Sequence, residues 1–253
     1  MNFLNGSDHV DGIYILTEPQ AEFENHYLQV REKEKRILSD EIVAALPRTP
    51  PSYIHHSEWK LREASSKKVL TYLKNTRPKT ALDIGCGNGW FTNKLASVSE
   101  NVIGLDMNLH ELKQANRVFE HTNLTFCYAD IFSEKLPHKT FDLITINAAI
   151  QYFPDAKQLF NQLLELLSDN GEIHIIDSPF YPKHELVAAK ERTAAYFDKM
   201  ECPEMANSYF HHSWSVLDDF NHTVMFDPST LTQRAARKLG FTVAVFPWIV
   251  VRK

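Results

Sequence analysis

In Ala81-Leu82-Asp83-Ile84-Gly85-Cys86-Gly87-Asn88-Gly89-Trp90 an apolar run gives way to glycines at every second position. Glycines there let a backbone take positive φ and approach a ligand closely, while the helix that follows presents its N-terminal amides. Gly85, Gly87 and Gly89 therefore form a candidate ligand cradle. A dinucleotide fingerprint needs its third glycine one position later, where this chain has Trp90, which disfavours a nucleotide-dependent oxidoreductase. Two acids follow at similar intervals, Asp106 and Asp130, each at the carboxyl end of a β-rich run. An acid roughly 20 residues past such a turn can accept hydrogen bonds from ribose hydroxyls, the expectation for Asp106. Asp130 would then meet the adenine, with a helix N-cap as the lesser reading. Asp83 reads both as a brace for the glycine loop and as a direct contact.

A second set of chemistry-bearing residues lies between Ser178 and Phe226, a stretch rich in aromatics and histidines. The pair His211-His212 offers a general base, though neighbouring side chains diverge, so at most one of the two is expected in a site. Tyr152 could face a substrate or stack in the core. Cys86, Cys127 and Cys202 are far apart and odd in number, which suggests neither a disulfide framework nor a metal site.

The elements that must position these residues follow from periodicity. From about Ser66 to Asp177, short β-rich runs alternate with longer helical patterns, the signature of a parallel sheet flanked by helices. The expected strands are Thr80–Ile84, Asn101–Leu105, Leu124–Tyr128, Phe141–Ile146 and Glu172–Ile176. Ahead of them lies a polar, mostly helical extension over residues 1–65, with helices expected at His26–Leu38, from Asp40 to Pro47, and at Glu58–Leu73. Residues 66–177 and 227–253 form the expected core, and residues 178–226 a lid inserted after the fifth strand. A last helix is expected at Pro228–Leu239. The closing run Phe241–Val251 is β-like around Pro247 and suggests a short hairpin or a bulged strand.

With 253 residues, 43% of them hydrophobic, the chain can bury one large core and lies near the upper limit for one domain. No run approaches the roughly 18 apolar residues of a membrane span, and the start lacks a secretory profile, so the cytoplasm is the expected compartment. A net charge of -5 counts against a nucleic acid as main partner and suits a small-molecule substrate.

Over about Lys68 to Asp177 these motifs together resemble the class I S-adenosylmethionine-dependent methyltransferases, especially the branch acting on small molecules and quinones. The resemblance implies an α/β, Rossmann-like, doubly wound and mostly parallel seven-stranded sheet. It implies that Asp83–Gly89 cradles the methionine part of S-adenosylmethionine and that Asp106 holds the ribose. Met107 would pack on the adenine, and Asp130 with the Ile131 backbone would contact its edge. Phe141-Asp142-Leu143-Ile144-Thr145-Ile146-Asn147-Ala148 resembles the fourth-strand motif, which sets Asn147 and Ala148 beside the transferable methyl group. Cys86 reads as a small residue filling the cradle, because this chemistry needs no covalent enzyme intermediate. Related enzymes often hold the cofactor carboxylate with a residue ahead of the glycines; Tyr27, Arg31, Arg36, Trp59 and Arg62 lie there, with Arg62 able to bind bidentately.

Nucleic-acid amino-methylating relatives carry Asn/Asp-Pro-Pro-aromatic after the fourth strand, whereas this chain has Asn147-Ala148-Ala149-Ile150. The family also ends in a longer hairpin than Phe241–Lys253 allows. The implied reaction is in-line displacement at the sulfonium methyl, leaving S-adenosylhomocysteine, with alignment doing most of the work. His211, His212 and Tyr152 are the candidate catalytic residues. A catalytically silent binding or scaffold protein on the same fold is the alternative.

Overall fold

The computed structural model describes residues 2–253. Its strands are β1 (Asp8–Val10), β2 (Ile13–Ile15), β3 (Thr80–Ile84), β4 (Asn101–Asp106), β5 (Leu124–Tyr128), β6 (Phe141–Asn147), β7 (Leu167–Ile176), β8 (Phe180–Tyr181), β9 (His212–Ser213), β10 (Asn221–Phe226) and β11 (Trp248–Arg252). The helices are α1 (Ala21–Lys33), α2 (Asp40–Ala45), α3 (His56–Thr76), α4 (Trp90–Leu95), α5 (Leu109–Val118), α6 (Ala156–Leu166), α7 (Leu186–Lys199) and α8 (Leu231–Lys238). Nine strands form one sheet in the order β1-β2-β5-β4-β3-β6-β7-β11-β10, and β8 and β9 pair separately.

The five expected parallel strands are present and belong to a seven-stranded core, β5-β4-β3-β6-β7-β11-β10, in which β11 pairs antiparallel with both β7 and β10. Both faces of the parallel strands are buried, which is why they read as near-continuous apolar runs. On β3, Leu82 and Ile84 face a core completed by Phe160 of α6, and Ala81 faces one completed by Val69 and Leu73 of α3. Strand order reverses at β3, with β4 on one side and β6 on the other, so their carboxyl ends open a crevice.

Three expectations need correction. The amino-terminal extension is not purely helical: β1 and β2 form a hairpin that adds to the sheet beside β5. Asp11-Gly12, with φ of 51° and 80°, is the mirror-image turn that suits strand twist. The first helix spans Ala21–Lys33 rather than His26–Leu38, starting just past Pro19 and ending where Lys35 turns left-handed at φ 56°. Finally, the lid does not extend to residue 226. Asn221–Phe226 is the outer sheet strand, paired antiparallel with β11, and residues 241–247 form no strand. Residues 221–225 are exposed on the sheet edge, so no buried alternation marked them as a strand.

Candidate active site

The glycine turn joins β3 to α4, with Gly85, Gly87 and Gly89 at φ of 65°, 53° and 74°. Their roles differ. A Cβ on Gly85 would lie 2.4 Å from the Ala149 side chain, and one on Gly89 2.8 Å from Phe126 and Ala115, so these two permit close packing beneath the turn. A Cβ on Gly87 would instead meet the Glu111 carboxylate at 3.0 Å, on the cavity side. The Gly87 amide donates to Asp106 Oδ2 at 2.7 Å, and the Asn108 amide to Asp106 Oδ1 at 2.8 Å. These bonds tie the ends of β3 and β4 together. Burial, and then the neighbouring Glu111 carboxylate, push the Asp106 carboxyl up to about 7.

Asp83 is a brace. It is 1% exposed, and its two oxygens accept from the Thr145 and Thr92 hydroxyls at 2.6 and 2.7 Å. Burial holds its carboxyl up at about 6. Both Asp83 oxygens are thus taken up inside the protein, the bracing arrangement of the two readings. At Asp130, Oδ1 accepts from the Phe132 amide at 3.0 Å, capping its own turn, and its neighbours Ala129 and Ile131 line the cavity.

That cavity, about 720 Å³ counting its open mouth, runs from Gly85 and Gly87 past Asp106, Met107 and Asn108 to Ala129 and Ile131. Phe23 and Tyr27 of α1 close it from above, and Ala148, Ala149, Tyr152 and Phe153 from the β6 side. A polar cleft continues beyond the glycines, lined among others by Cys86, Asn147, Arg62 and Asp177. Asn147 has both carboxamide atoms buried without a partner, a state that calls for a ligand or water. Cys86 is buried, with its thiol held well above its ordinary value, chiefly by burial and next by Asp106. Arg62 lines the cleft while its Nε and Nη2 bind Glu58 Oε1 at 3.1 and 3.0 Å.

A third compartment lies under the lid, between α1 and α7, and Tyr27 and Tyr152 line all three spaces. Tyr152 packs edge-on against Tyr27, Phe23 and Tyr209, with ring centroids 5.7, 6.2 and 5.9 Å away. Neither histidine of the expected pair lines any of these spaces. His211 stands behind Tyr181 and Tyr209, at 5.5 and 5.4 Å, with Nε2 2.9 Å from the Thr193 hydroxyl. His212 is buried with Nε2 3.1 Å from the Ile150 carbonyl, and the Phe210 amide donates to the Gln151 carbonyl at 2.7 Å. His212 and the Phe210 amide thus fasten the lid to the loop after β6, while His211 bonds Thr193 within the lid, so neither ring lines the spaces described. Burial lowers the affinity of both rings for a proton.

Glu111 was missed by sequence reasoning. It sits in the first turn of α5, where an acid is ordinarily explained by the helix dipole. Here its Oε2 lies 3.4 Å from the Tyr27 hydroxyl and its Oε1 3.6 Å from Arg31, so it docks α1 over the cradle.

A methyltransferase-domain family model matches residues 75–238. Malonyl-(acyl-carrier protein) O-methyltransferase of Erwinia billingiae is 28% identical over 193 residues, covering 76% of this chain and 70% of that protein. Demethylmenaquinone methyltransferase of Lactobacillus johnsonii is 31% identical over 119 residues, covering 44% of this chain and only 49% of that protein. Among solved structures, the plantazolicin methyltransferase BpumL in complex with a pentazolic desmethylPZN analog and SAH has a TM-score of 0.54 at 16% identity, covering 92% of this chain and 98% of that one. At that identity the likeness is one of fold.

Proposed function

The chain belongs to the class I S-adenosylmethionine-dependent methyltransferases, and we propose that it moves a methyl group onto a small-molecule acceptor held beneath its lid. The reading rests on the Gly87–Asp106 hydrogen bond of 2.7 Å, which fixes a carboxylate at the wall of a cleft that opens into an aromatic compartment. The unpartnered Asn147 amide and the glycine turn beside it are groups that a polar, amino-acid-bearing ligand satisfies. When bound, S-adenosylmethionine supplies an electrophilic methyl on a sulfonium and departs as S-adenosylhomocysteine.

In this reading Asp106 keeps lone pairs for the ribose hydroxyls, and Met107, Ala129 and Ile131 form the slot for the adenine. Gly85, Gly87 and Asn147 face the amino-acid portion, with Ala148 beside the methyl. Arg62, whose Nη1 forms no hydrogen bond among the described residues, takes the carboxylate end. Tyr27 and Tyr152 separate the two compartments and set the line of approach, excluding water from it. Burial holds both phenols above their ordinary value, so they act as walls and hydrogen-bond donors rather than as bases at neutral pH.

Relatives named for malonyl-(acyl-carrier protein) and for demethylmenaquinone support a small organic acceptor, and the net charge of -5 counts against a polyanion. A cytoplasmic location belongs to the same proposal; among the described residues no helix is long and apolar enough to cross a membrane.

The test is transfer of labelled methyl from S-adenosylmethionine to a panel of hydroxy, amino, thiol and carbon acids. Label in an organic product, abolished by heat-killing the protein, supports the proposal. Tight binding of S-adenosylhomocysteine with label in no product would favour a silent binding protein.

A further inference from the structure

The compartment under the lid has a charge pattern that bears on its occupant. Two guanidinium groups reach its lining, Arg31 from α1 and Arg192 from α7, against one carboxylate, Glu34. Glu34 is already engaged, by Arg36 Nε at 3.1 Å and by the Tyr196 hydroxyl. Arg31 is held only loosely, and Arg192 not at all. Arg31 Nε is buried without an acceptor, and the nearest carboxylate oxygen to its Nη2, on Glu111, is 3.6 Å away. Arg192 forms no ion pair or hydrogen bond through its side chain among the described residues. A pocket with surplus positive charge is unusual in a chain of net charge -5.

We propose that the acceptor is a monoanionic acid, a carboxylate carried on a flat apolar body, whose carboxylate is held between Arg31 and Arg192. The proposal rests on the methyl-transfer reading above. Both arginines follow from helical spacing. Tyr27 and Arg31 lie four apart on α1, and Arg192 and Tyr196 four apart on α7, so each helix turns one cation and one aromatic toward the same space. A planar guanidinium matches a carboxylate in bidentate geometry, and a buried donor without an acceptor is satisfied by such a ligand. With Glu34 offset by Arg36 and Glu111 facing Arg31, one uncompensated positive charge remains at the lining, which balances a single negative charge and falls short of a phosphate dianion. Tyr152, Tyr209, Phe197 and Met205 supply the apolar walls that a flat ring system fills. The carboxylate is a binding handle, distinct from the atom that receives the methyl.

The test uses the full chain saturated with S-adenosylhomocysteine and three probes, 2-naphthoate, 2-naphthamide and 2-naphthyl phosphate, titrated calorimetrically. The naphthoate is expected to bind about tenfold more tightly than its neutral amide, the effect of one charge-assisted contact. Arg192→Gln should remove that preference while leaving S-adenosylhomocysteine affinity unchanged. Arg31→Gln should do the same for the acid, with circular dichroism confirming that the fold persists. Equal binding of acid and amide, no detectable naphthoate binding, tighter binding of the phosphate, or an unaffected Arg192→Gln variant would overturn the proposal. Failure of S-adenosylhomocysteine to bind the unsubstituted chain would contradict the methyl-donor reading instead.

Discussion

Asp106 combines two demands: it must accept hydrogen bonds as an anion, yet burial and Glu111 raise its carboxyl to about 7. Because this value exceeds the ordinary 3.8, the group favours the folded state below about pH 4, and that contribution is lost as pH rises through about 7. In the proposed contact the ribose hydroxyls donate to the ionised form, so ligand binding would compensate over the same window. Thermal stabilisation by S-adenosylhomocysteine is therefore expected to grow from pH 6 to pH 8, with affinity about tenfold weaker at the lower end. An Asp106→Asn variant should bind weakly at both, with a flat profile; a profile unchanged from the parent would count against Asp106 as the titrating group. The histidine pair gives a second expectation. Removing a general base costs about 100-fold to 10,000-fold in rate, whereas His211→Gln should cost about threefold or less, since its ring stands behind the cavity wall. A drop of the larger size in a steady-state assay would return His211 to the reaction. The sequence identified the right residue types here but not their side-chain directions: adjacent histidines and aromatics reveal a lid, and only packing reveals which ring faces inward.

The glycine turn and the strand ends were legible because their chemistry is local. Positive φ leaves a sequence trace in Gly85, Gly87 and Gly89, and an acid at a strand end needs no tertiary knowledge. The price of altering the turn should be correspondingly high. Gly85→Ala adds about 1–2 kcal/mol of left-handed strain and a collision with Ala149, so it should lower S-adenosylhomocysteine affinity more than it lowers the melting temperature. Calorimetry and melting curves on one preparation separate the two effects. Thr145→Val deprives the buried Asp83 of a donor and should destabilise the chain by about 1–3 kcal/mol in urea unfolding, while pushing the Asp83 carboxyl higher still. No measurable loss would mean that Asp83 does not brace β3 against β6. Less legible were elements held by distant partners. Asn221–Phe226 is a strand only because β11 is there to pair with it, and α1 is placed by Pro19 and Lys35 rather than by an apolar stripe.

The fold is a parallel sheet whose strand-order reversal creates a crevice, with an amino-terminal helix and a carboxyl-side lid closing it from two directions. The five parallel strands were readable, as were Gly87, Asp106 and Met107 as parts of one hollow. The closure was not, because it depends on contacts between segments more than 100 residues apart, such as the Tyr152–Phe23 and Lys33–Met200 contacts. What unites the molecule is one proposition: the crevice grips an adenosyl sulfonium compound through Asp106. Calorimetric titration of S-adenosylhomocysteine into the full chain and its Asp106→Ala variant, with NAD as control, tests it most directly. One-site binding to the parent, at least about tenfold weaker in the variant and absent for NAD, is the expected result. Equal affinity in both proteins, or binding of NAD in place of the adenosyl ligand, would contradict it.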